Sequence, residues 1–389
     1  MKKTALLAAC NPNYGSLLQS YALQQYLHRS GVQTEIIVYT HRPLSRQLVR
    51  LFNLPLLKMK SKMVARDLRC RIFRPGLHAL MQQRLGKFRE FRDQLLVFSQ
   101  ERYPDRTALE RGTGHYAAFI LGSDQVWNPI NLGTDFYTLN FVPDQMLKIT
   151  YAPSFGVARI PSSQVRRTKH YLDRIDHISV REKSGQEIVR EITGREVPVV
   201  CDPTMLVDRE LWDELKGDRP VVEGKYIFCY FLGNRKDIRD FADRVKAETG
   251  LRIVALQHLD EFVRSDCAFG DIRPYDIGPA EFVNLVSHAE IVLTDSFHGT
   301  IFSILYERPF FSFGRFAASR PKSESTNSRI DSILGTVGLA DRKLAGNEEA
   351  APCLARTINY GPVRARLQDY RASSRAYLER VIALIPRSE

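Results

Sequence analysis

The chain has 389 residues, of which 44% are hydrophobic, and its formal net charge is +12. This length exceeds what one ordinary hydrophobic core serves, so we expect two domains. Composition excludes a membrane span, because charge or proline cuts every apolar run within about ten residues, short of the ~18 that a span needs. The six cysteines show no CxxC pair or regular spacing, which favours free thiols in a reducing compartment.

The first predicted element is a strand within MKKTALLAAC. This stretch imitates a lipoprotein signal, but its apolar part, residues 4–9, is shorter than the roughly 7–15 residues of a signal core. We therefore expect a cytoplasmic protein. The loop NPNYG, a helical pattern over 16–31 and the strand pattern VQTEIIVY complete a βαβ unit. Parallel strands require such crossovers, so the predicted fold class is α/β with a mostly parallel sheet.

Positive charge is concentrated in residues 42–95, which contain fourteen Lys or Arg against three acids. Apolar residues interleave with these cations, as in an amphipathic segment that rests on an anionic membrane surface. A solvated basic helical pair is an equally good interpretation. Nucleic acid is not an expected partner, because no motif of a nucleic-acid-binding module accompanies the charge. We predict a basic helical insertion at about 42–100 within the first domain.

The rest of the first half contains three further strand patterns, each followed by polar residues and then a helical pattern. They are AAFILG (117–122), KITYAPSFG (148–156) and DHISVRE (176–182).

A composition shift at 208–225, where charged, Gly and Pro residues cluster, marks the predicted domain boundary. The alternation of strand and helix patterns then begins again and continues to RPFFSFG (308–314). The sequence thus predicts two Rossmann-like, doubly wound domains that face each other across a cleft. We place them at 1–215 and 222–350, followed by a helix at 362–386 that packs back on the first domain.

Polar loops after predicted strands are the candidate binding segments, because ligands of open parallel sheets bind at the carboxyl ends of the strands. Each loop alone also has a structural explanation, since Asp, Ser and Asn cap helices and Gly forms turns. The loops are NPNYGS (11–16), GSDQVWN (122–128), SVREKSG (179–185) and TDSFHGT (294–300).

The second and third loops carry groups suited to a sugar and to an anion. Asp124 and Gln125 can bind hydroxyl groups while Trp127 stacks on a sugar face, although an indole is equally suited to a core. Arg181 can hold a carboxylate or phosphate bidentately. A surface ion pair with Glu182 is the alternative role for this arginine.

The fourth loop, TDSFHGT, is a predicted strand-to-helix junction. Ser296 or Asp295 can cap the helix, and Gly299 leaves backbone amides open to an anion. His298 stands at the helix entry, where an imidazole donates to a phosphate or moves a proton near neutral pH. A lone histidine is more often a structural residue, but its place at the predicted cleft favours a functional role.

The chain carries, in this order, NYGSLLQSYALQQYL, LGSDQVWNP, SVREKSG, CDPTMLV and TDSFHGTIFSILYERPFF. Their order and separations resemble those of the polysaccharide pyruvyl transferase family, over about residues 4–335. The resemblance implies a GT-B-like pair of domains and transfer of an enolpyruvyl-derived unit from phosphoenolpyruvate onto a sugar diol as a ketal. It associates His298 and Arg181 with the donor.

One position departs from the family pattern. Many relatives carry an arginine two residues before the histidine, where this chain has Ser296. Another cation must then serve the donor, and a different donor is an open alternative. The candidate cations are Arg181, Lys236, Arg308, Arg320 and Lys322.

The resulting hypothesis is an enzyme of polysaccharide or exopolysaccharide biosynthesis that acts on a sugar or lipid-linked glycan acceptor, at the inner face of the membrane if the insertion binds there. His298 is the predicted catalytic residue. We expect no cofactor beyond the donor, and no metal, because no cluster with ligand spacing is present. The predicted donor-binding residues are Arg181, Ser296, Gly299, Asn13 and Gly15, and the predicted acceptor-binding residues are Asp124, Gln125 and Trp127.

Two other classes of function fit the same sequence. A nucleotide-sugar-dependent glycosyltransferase would use the same architecture and would bind a nucleoside diphosphate. A non-catalytic glycan-binding or membrane-surface protein would account for Ser296 and the basic insertion without any chemistry in the cleft.

Overall fold

The computed structural model describes residues 2–40, 72, 74–130, 135–258, 263–266, 268–315 and 328–386. Residues 41–71, which hold most of the basic stretch, lie outside this set. The predicted membrane-surface role of residues 42–95 therefore stays a prediction. Within the described part of the chain, no helix is long and apolar enough to cross a membrane.

The first domain is built on a parallel five-stranded sheet with the order β3-β2-β1-β4-β5. Its central strands are almost fully buried because helices cover both faces, as in doubly wound sheets. The strands are β1 (Lys3–Leu7), β2 (Thr34–Tyr39), β3 (Phe98–Tyr103), β4 (Tyr116–Leu121) and β5 (Leu147–Thr150).

The first helix of this half begins after the loop that follows β1. It starts at Asn13, whose side chain accepts a hydrogen bond from the Ser16 amide. The helices are α1 (Tyr14–Arg29), α2 (Pro75–Leu95), α3 (Arg106–Gly112), α4 (Ser162–Asp173), α5 (Lys183–Thr193), α6 (Pro203–Leu206) and α7 (Arg209–Lys216).

The second domain repeats this design with the strand order β10-β9-β8-β6-β7, again all parallel. The prediction of two Rossmann-like α/β domains is confirmed. The strands are β6 (Tyr226–Tyr230), β7 (Arg252–Leu256), β8 (Ile291–Thr294), β9 (Phe310–Phe313) and β10 (Lys343–Leu344). The helices are α8 (Lys236–Thr249), α9 (Pro279–His288), α10 (Phe297–Leu305), α11 (Ser328–Val337), α12 (Ala350–Leu354) and α13 (Tyr360–Ile382).

Two local predictions in the first domain are wrong. Residues 98–100, assigned to the helical insertion, belong to β3 at the edge of the sheet. DHISVRE was expected to be a strand, yet it forms only isolated bridges, between Ile149 and His177 and between Val180 and Val199. The sheet therefore ends at β5, and Arg181 lies in a loop beyond its edge.

The two domains are in direct contact through α1 and α9. The Tyr14 ring stacks on Phe282 with centroids 4.8 Å apart, and its hydroxyl donates to the carbonyl oxygen of Ile277 at 3.0 Å. The final helix, α13, packs against α11 of the second domain and also reaches the first domain. There the Tyr377 hydroxyl donates to the Thr150 carbonyl at 3.1 Å.

Candidate active site

A cavity of about 720 Å³ lies where the carboxyl ends of the two sheets face each other. The first domain contributes the loops after β1 and β4. The second domain contributes the segments after β6, β7, β8 and β9 and the start of α11. The polar lining of the cavity includes Asn13, Asp124, His258, His298, Arg315 and Arg329.

His298 stands in the first turn of α10, which follows β8. Ser296 caps this helix, and its hydroxyl accepts from the Gly299 amide at 3.3 Å. The imidazole is 7% exposed, lines the cavity and lies against Gly15. Its Nε2 is 3.6 Å from Oδ2 of Asp202, a residue of the other domain. His298 thus faces both the cavity and a buried carboxylate.

Asp202 links His298 to Arg181. Its Oδ2 accepts from Arg181 Nη1 at 2.6 Å, and its Oδ1 accepts from the Thr204 amide and hydroxyl. Burial opposes ionisation of this carboxyl, but the charges of His298 and Arg181 outweigh burial and hold its pKa well below the usual range. Asp202 is therefore an anion that faces the Nε2 side of the imidazole from the other domain.

Arg329, in α11, is a buried cation at the cavity wall. It is 7% exposed, and its guanidinium carbon lies 5.4 Å from the ring centroid of Phe297. Its Nε has no hydrogen-bond partner, and no carboxylate pairs with it, among the residues that the structure describes. Burial, together with the charges of Arg181 and Arg315, lowers its pKa to about 9. An anion in the cavity would relieve this cost.

A second histidine, His258, follows β7 and also lines the cavity. Its Nδ1 is 2.6 Å from Oδ2 of Asp266, and its Nε2 is 3.2 Å from the Leu232 carbonyl oxygen. Burial opposes the charged form, yet the hydrogen bond and charge of Asp266 raise the pKa of His258 above its usual value. Both nitrogens face acceptors, so His258 adds positive charge to the same wall.

The structure brings several predicted residues together at this cavity. Asn13, Asp124, Gln125, Ser296 and His298 all line it. Gly15 lies directly beside the imidazole, although it contributes no side chain.

Three predicted roles are corrected by the geometry. Trp127 is fully buried, and its indole N–H donates to the Tyr137 carbonyl at 3.0 Å, so no ring face is open to a sugar. Gly299 donates its amide to Ser296, and a Cβ there would lie 2.5 Å from Thr294 Oγ1. Close packing on β8 therefore requires this glycine, and its amide is not open to an anion.

Arg181 does not line the cavity either. Its guanidinium is buried in the interior, with Asp202 on one side and the Phe297 ring centroid 4.7 Å from its carbon. Its Nε and Nη2 have no hydrogen-bond partner among the described residues. Of the other proposed cations, Lys236 pairs with Asp240 on the surface, and Arg308 donates to the Ala289 carbonyl. Arg320 and Lys322 lie outside the described residues.

Sequence reasoning missed four residues of the site: Asp202, His258, Arg315 and Arg329. Asp202 lies in CDPTMLV, which carried the resemblance but received no role. His258 and Arg315 follow strand ends, so the rule that selected the four loops would have found them. Arg329 gave no such signal, because it opens a helix rather than ending a strand.

A family model described as polysaccharide pyruvyl transferase matches residues 13–315, more than three quarters of the chain. The chain belongs to the polysaccharide pyruvyl transferase family. The matched range includes Asn13, Asp124, Asp202 and His298. No curated protein matches this pyruvyl transferase family member.

Three solved structures illustrate its likeness to other two-domain proteins. The UDP-GlcNAc 2-epimerase of Methanocaldococcus jannaschii is 12% identical, with a TM-score of 0.48. The match covers 96% of this chain and 100% of that chain. The UDP-GlcNAc 2-epimerase of Neisseria meningitidis is 11% identical, with a TM-score of 0.45 and coverages of 98% and 100%. A UDP-glucosyltransferase of Polygonum tinctorium is 12% identical, with a TM-score of 0.46 and coverages of 98% and 97%.

Proposed function

We propose that this pyruvyl transferase moves the pyruvyl unit of phosphoenolpyruvate onto a sugar diol of a polysaccharide or lipid-linked glycan precursor, forming a ketal. Membership of the family supports pyruvyl transfer in general. The observation that carries the choice of donor is Arg329, a buried guanidinium at the cavity wall whose Nε has no hydrogen-bond partner and which forms no ion pair among the described residues. A small ligand with a phosphate and a carboxylate satisfies such a site.

In the described part of the chain, the arginine and histidine side chains that line the cavity all come from the second domain. His258, His298, Arg315 and Arg329 lie on segments of that domain. Donor binding at this wall would place the phosphate and carboxylate among them, where Coulomb attraction is strong because the surroundings are partly desolvated. Arg181 does not contact the donor in this proposal. It holds the Asp202 carboxylate beside His298.

The chemistry needs a proton donor at the terminal carbon of phosphoenolpyruvate. Protonation of that carbon makes the adjacent carbon an oxocarbenium-like centre, which a sugar hydroxyl attacks. Loss of phosphate and attack by a second hydroxyl close the ketal. His298 suits the role of general acid, since it lines the cavity and its Nε2 lies 3.6 Å from Oδ2 of the Asp202 carboxylate.

Removal of the Arg329 charge tests the donor. In Arg329→Met, a dianion at the wall loses a buried ion pair, so we expect binding of phosphoenolpyruvate to weaken roughly 30-fold or more, or about 2 kcal/mol. Isothermal titration calorimetry with phosphoenolpyruvate measures this change. Arg190→Met, at an exposed position on α5, is the matched control and should bind as the wild type does. Wild-type affinity in Arg329→Met, or no binding by the wild type, contradicts the proposal.

A further inference from the structure

The cavity has opposite electrostatic character on its two walls. The second domain contributes the side chains of Arg315, Arg329, His258 and His298. The first domain contributes Asp124, which is the sole carboxylate among the described residues that line the cavity, together with the neutral Asn11, Asn13 and Gln125. An anionic donor is attracted to the cationic wall and repelled by Asp124. A neutral sugar therefore fits best on the wall of the first domain.

Asp124 is held in a backbone conformation that aspartate rarely adopts. Its φ is 81°, within the left-handed region, where a non-glycine residue stores strain. The loop cannot relax easily, because the Asp124 carbonyl accepts from the Ser154 amide at 2.9 Å and the Ser154 carbonyl accepts from the Trp127 amide at 3.2 Å. The fold thus fixes a strained carboxylate at the mouth of a proposed active site.

The carboxylate is only partly used by the protein. Oδ1 accepts from the adjacent Gln125 amide at 2.7 Å, which orients the group. Oδ2 forms no hydrogen bond or ion pair within the described parts of the chain. One oxygen is fixed and the other remains able to accept a proton from a ligand.

Resting on the proposed function, we propose that Asp124 is the general base that takes the proton from the attacking hydroxyl group of the acceptor sugar. The sugar then occupies the first-domain wall, opposite the donor. Strain at this residue keeps the carboxylate aimed into the cavity, at some expense in stability.

The proton balance closes with two residues. The protonated imidazole of His298 donates a proton to the terminal carbon of phosphoenolpyruvate. The first hydroxyl oxygen bonds to the adjacent carbon and its proton passes to Asp124. That proton then leaves with the phosphate as the carbon–oxygen bond to phosphate breaks. The second hydroxyl oxygen closes the ketal and its proton returns to His298, so both residues regain their initial states and nothing is oxidised or reduced.

Three variants test this assignment, with phosphate release measured from phosphoenolpyruvate and a panel of methyl hexopyranosides as acceptor probes. Asp124→Asn keeps the shape and tolerates positive φ but cannot accept the proton, so we expect kcat to fall by roughly 10²- to 10⁴-fold. Asp124→Gly should lose similar activity, yet its thermal midpoint should rise because the strain is relieved. Added formate should raise the rate of Asp124→Gly by about tenfold, because formate can act as the missing base.

Asp135→Asn is the matched control, since Asp135 also has a positive φ, of 56°, but lies outside the cavity lining. Its turnover should equal that of the wild type. Wild-type kcat in Asp124→Asn, or no formate rescue of Asp124→Gly, overturns the assignment of the base. Absence of phosphate release or of phosphoenolpyruvate binding in the wild type overturns the proposed function instead, so the two failures are distinct.

Discussion

Gly15 contributes to the site through the space that its missing side chain leaves for His298. An ideal Cβ at this position would lie 1.9 Å from Nδ1 of the imidazole and 2.4 Å from its Cγ. Non-bonded atoms do not approach so closely, so any larger residue must displace the ring. The surrounding helix α1 would itself accept alanine, because alanine is the best helix former. The cost of a substitution should therefore fall on the imidazole and not on the helix.

We expect Gly15→Ala to lose activity almost as completely as His298→Ala while the chain stays folded. The displaced imidazole leaves Asp202 and the cavity, which should lower kcat by about 10²-fold or more. Phosphate release and the thermal midpoint together measure the two effects. Gly86→Ala is the control, because Gly86 lies within α2 and a Cβ there meets no atom within 4 Å. If Gly15→Ala turns over as fast as Gly86→Ala, the positioning role of Gly15 is refuted.

Strand-end loops were the most informative part of the sequence at the residue scale. They correctly placed Asn13, Asp124, Gln125, Ser296 and His298 at one cavity. The same rule could not say which side chains point outward, because burial is set by packing across the whole domain. Trp127 follows β4 as expected, and Arg181 follows a segment that forms only single bridges, yet both side chains turn into the interior.

At the element scale, α13 is attached to the first domain by a buried serine. Ser374 is fully buried; its hydroxyl accepts from the Cys201 amide at 2.9 Å and donates to the Tyr370 carbonyl at 2.7 Å. The Cys201 amide has no strand partner in this position. Because Cys201 directly precedes Asp202, this contact also supports the carboxylate of the site.

Ser374→Ala should destabilise the protein by about 1–3 kcal/mol, since it leaves the Cys201 N–H buried without an acceptor. The free energy of unfolding by urea measures the loss. The neighbouring Ser373 is exposed and bonds only to the Tyr370 carbonyl, so Ser373→Ala should change this free energy by no more than ~0.5 kcal/mol. Equal effects of the two substitutions would mean that the contact with Cys201 contributes nothing.

Edge elements were the least predictable from the pattern. FSQERY forms β3 with half of its residues exposed, so its charges concealed the strand among the basic residues before it. DHISVRE has the apolar alternation of a strand, but it lies beyond β5 and forms only single bridges. Central strands such as YIFCY are buried on both faces and gave a continuous apolar run. Local pattern therefore predicts the sheet centre better than its edges.

At the scale of the whole molecule, α2 connects the two domains. It lies between β2 and β3 of the first domain, yet its Arg84 is 1% exposed and donates to three carbonyl oxygens of the second. The acceptors are Tyr275, Gln257 and Pro274, at 3.0, 2.8 and 2.8 Å. Gln257 directly precedes His258, so this contact also fixes one wall of the cavity.

Arg84→Met should therefore weaken both the fold and the site. Three half-buried carbonyl groups lose their charged donor, and each such bond contributes about 1.5–3 kcal/mol, so we expect a loss of at least ~3 kcal/mol in the free energy of unfolding. Affinity for phosphoenolpyruvate, measured by calorimetry on the folded variant, should also fall because the segment bearing His258 is no longer held. Arg84→Lys should behave similarly, since a compact ammonium cannot match the planar fork of donors. Arg89→Met, exposed on the same helix, is the control. If Arg84→Met unfolds at the same denaturant concentration as Arg89→Met, α2 does not hold the domains together.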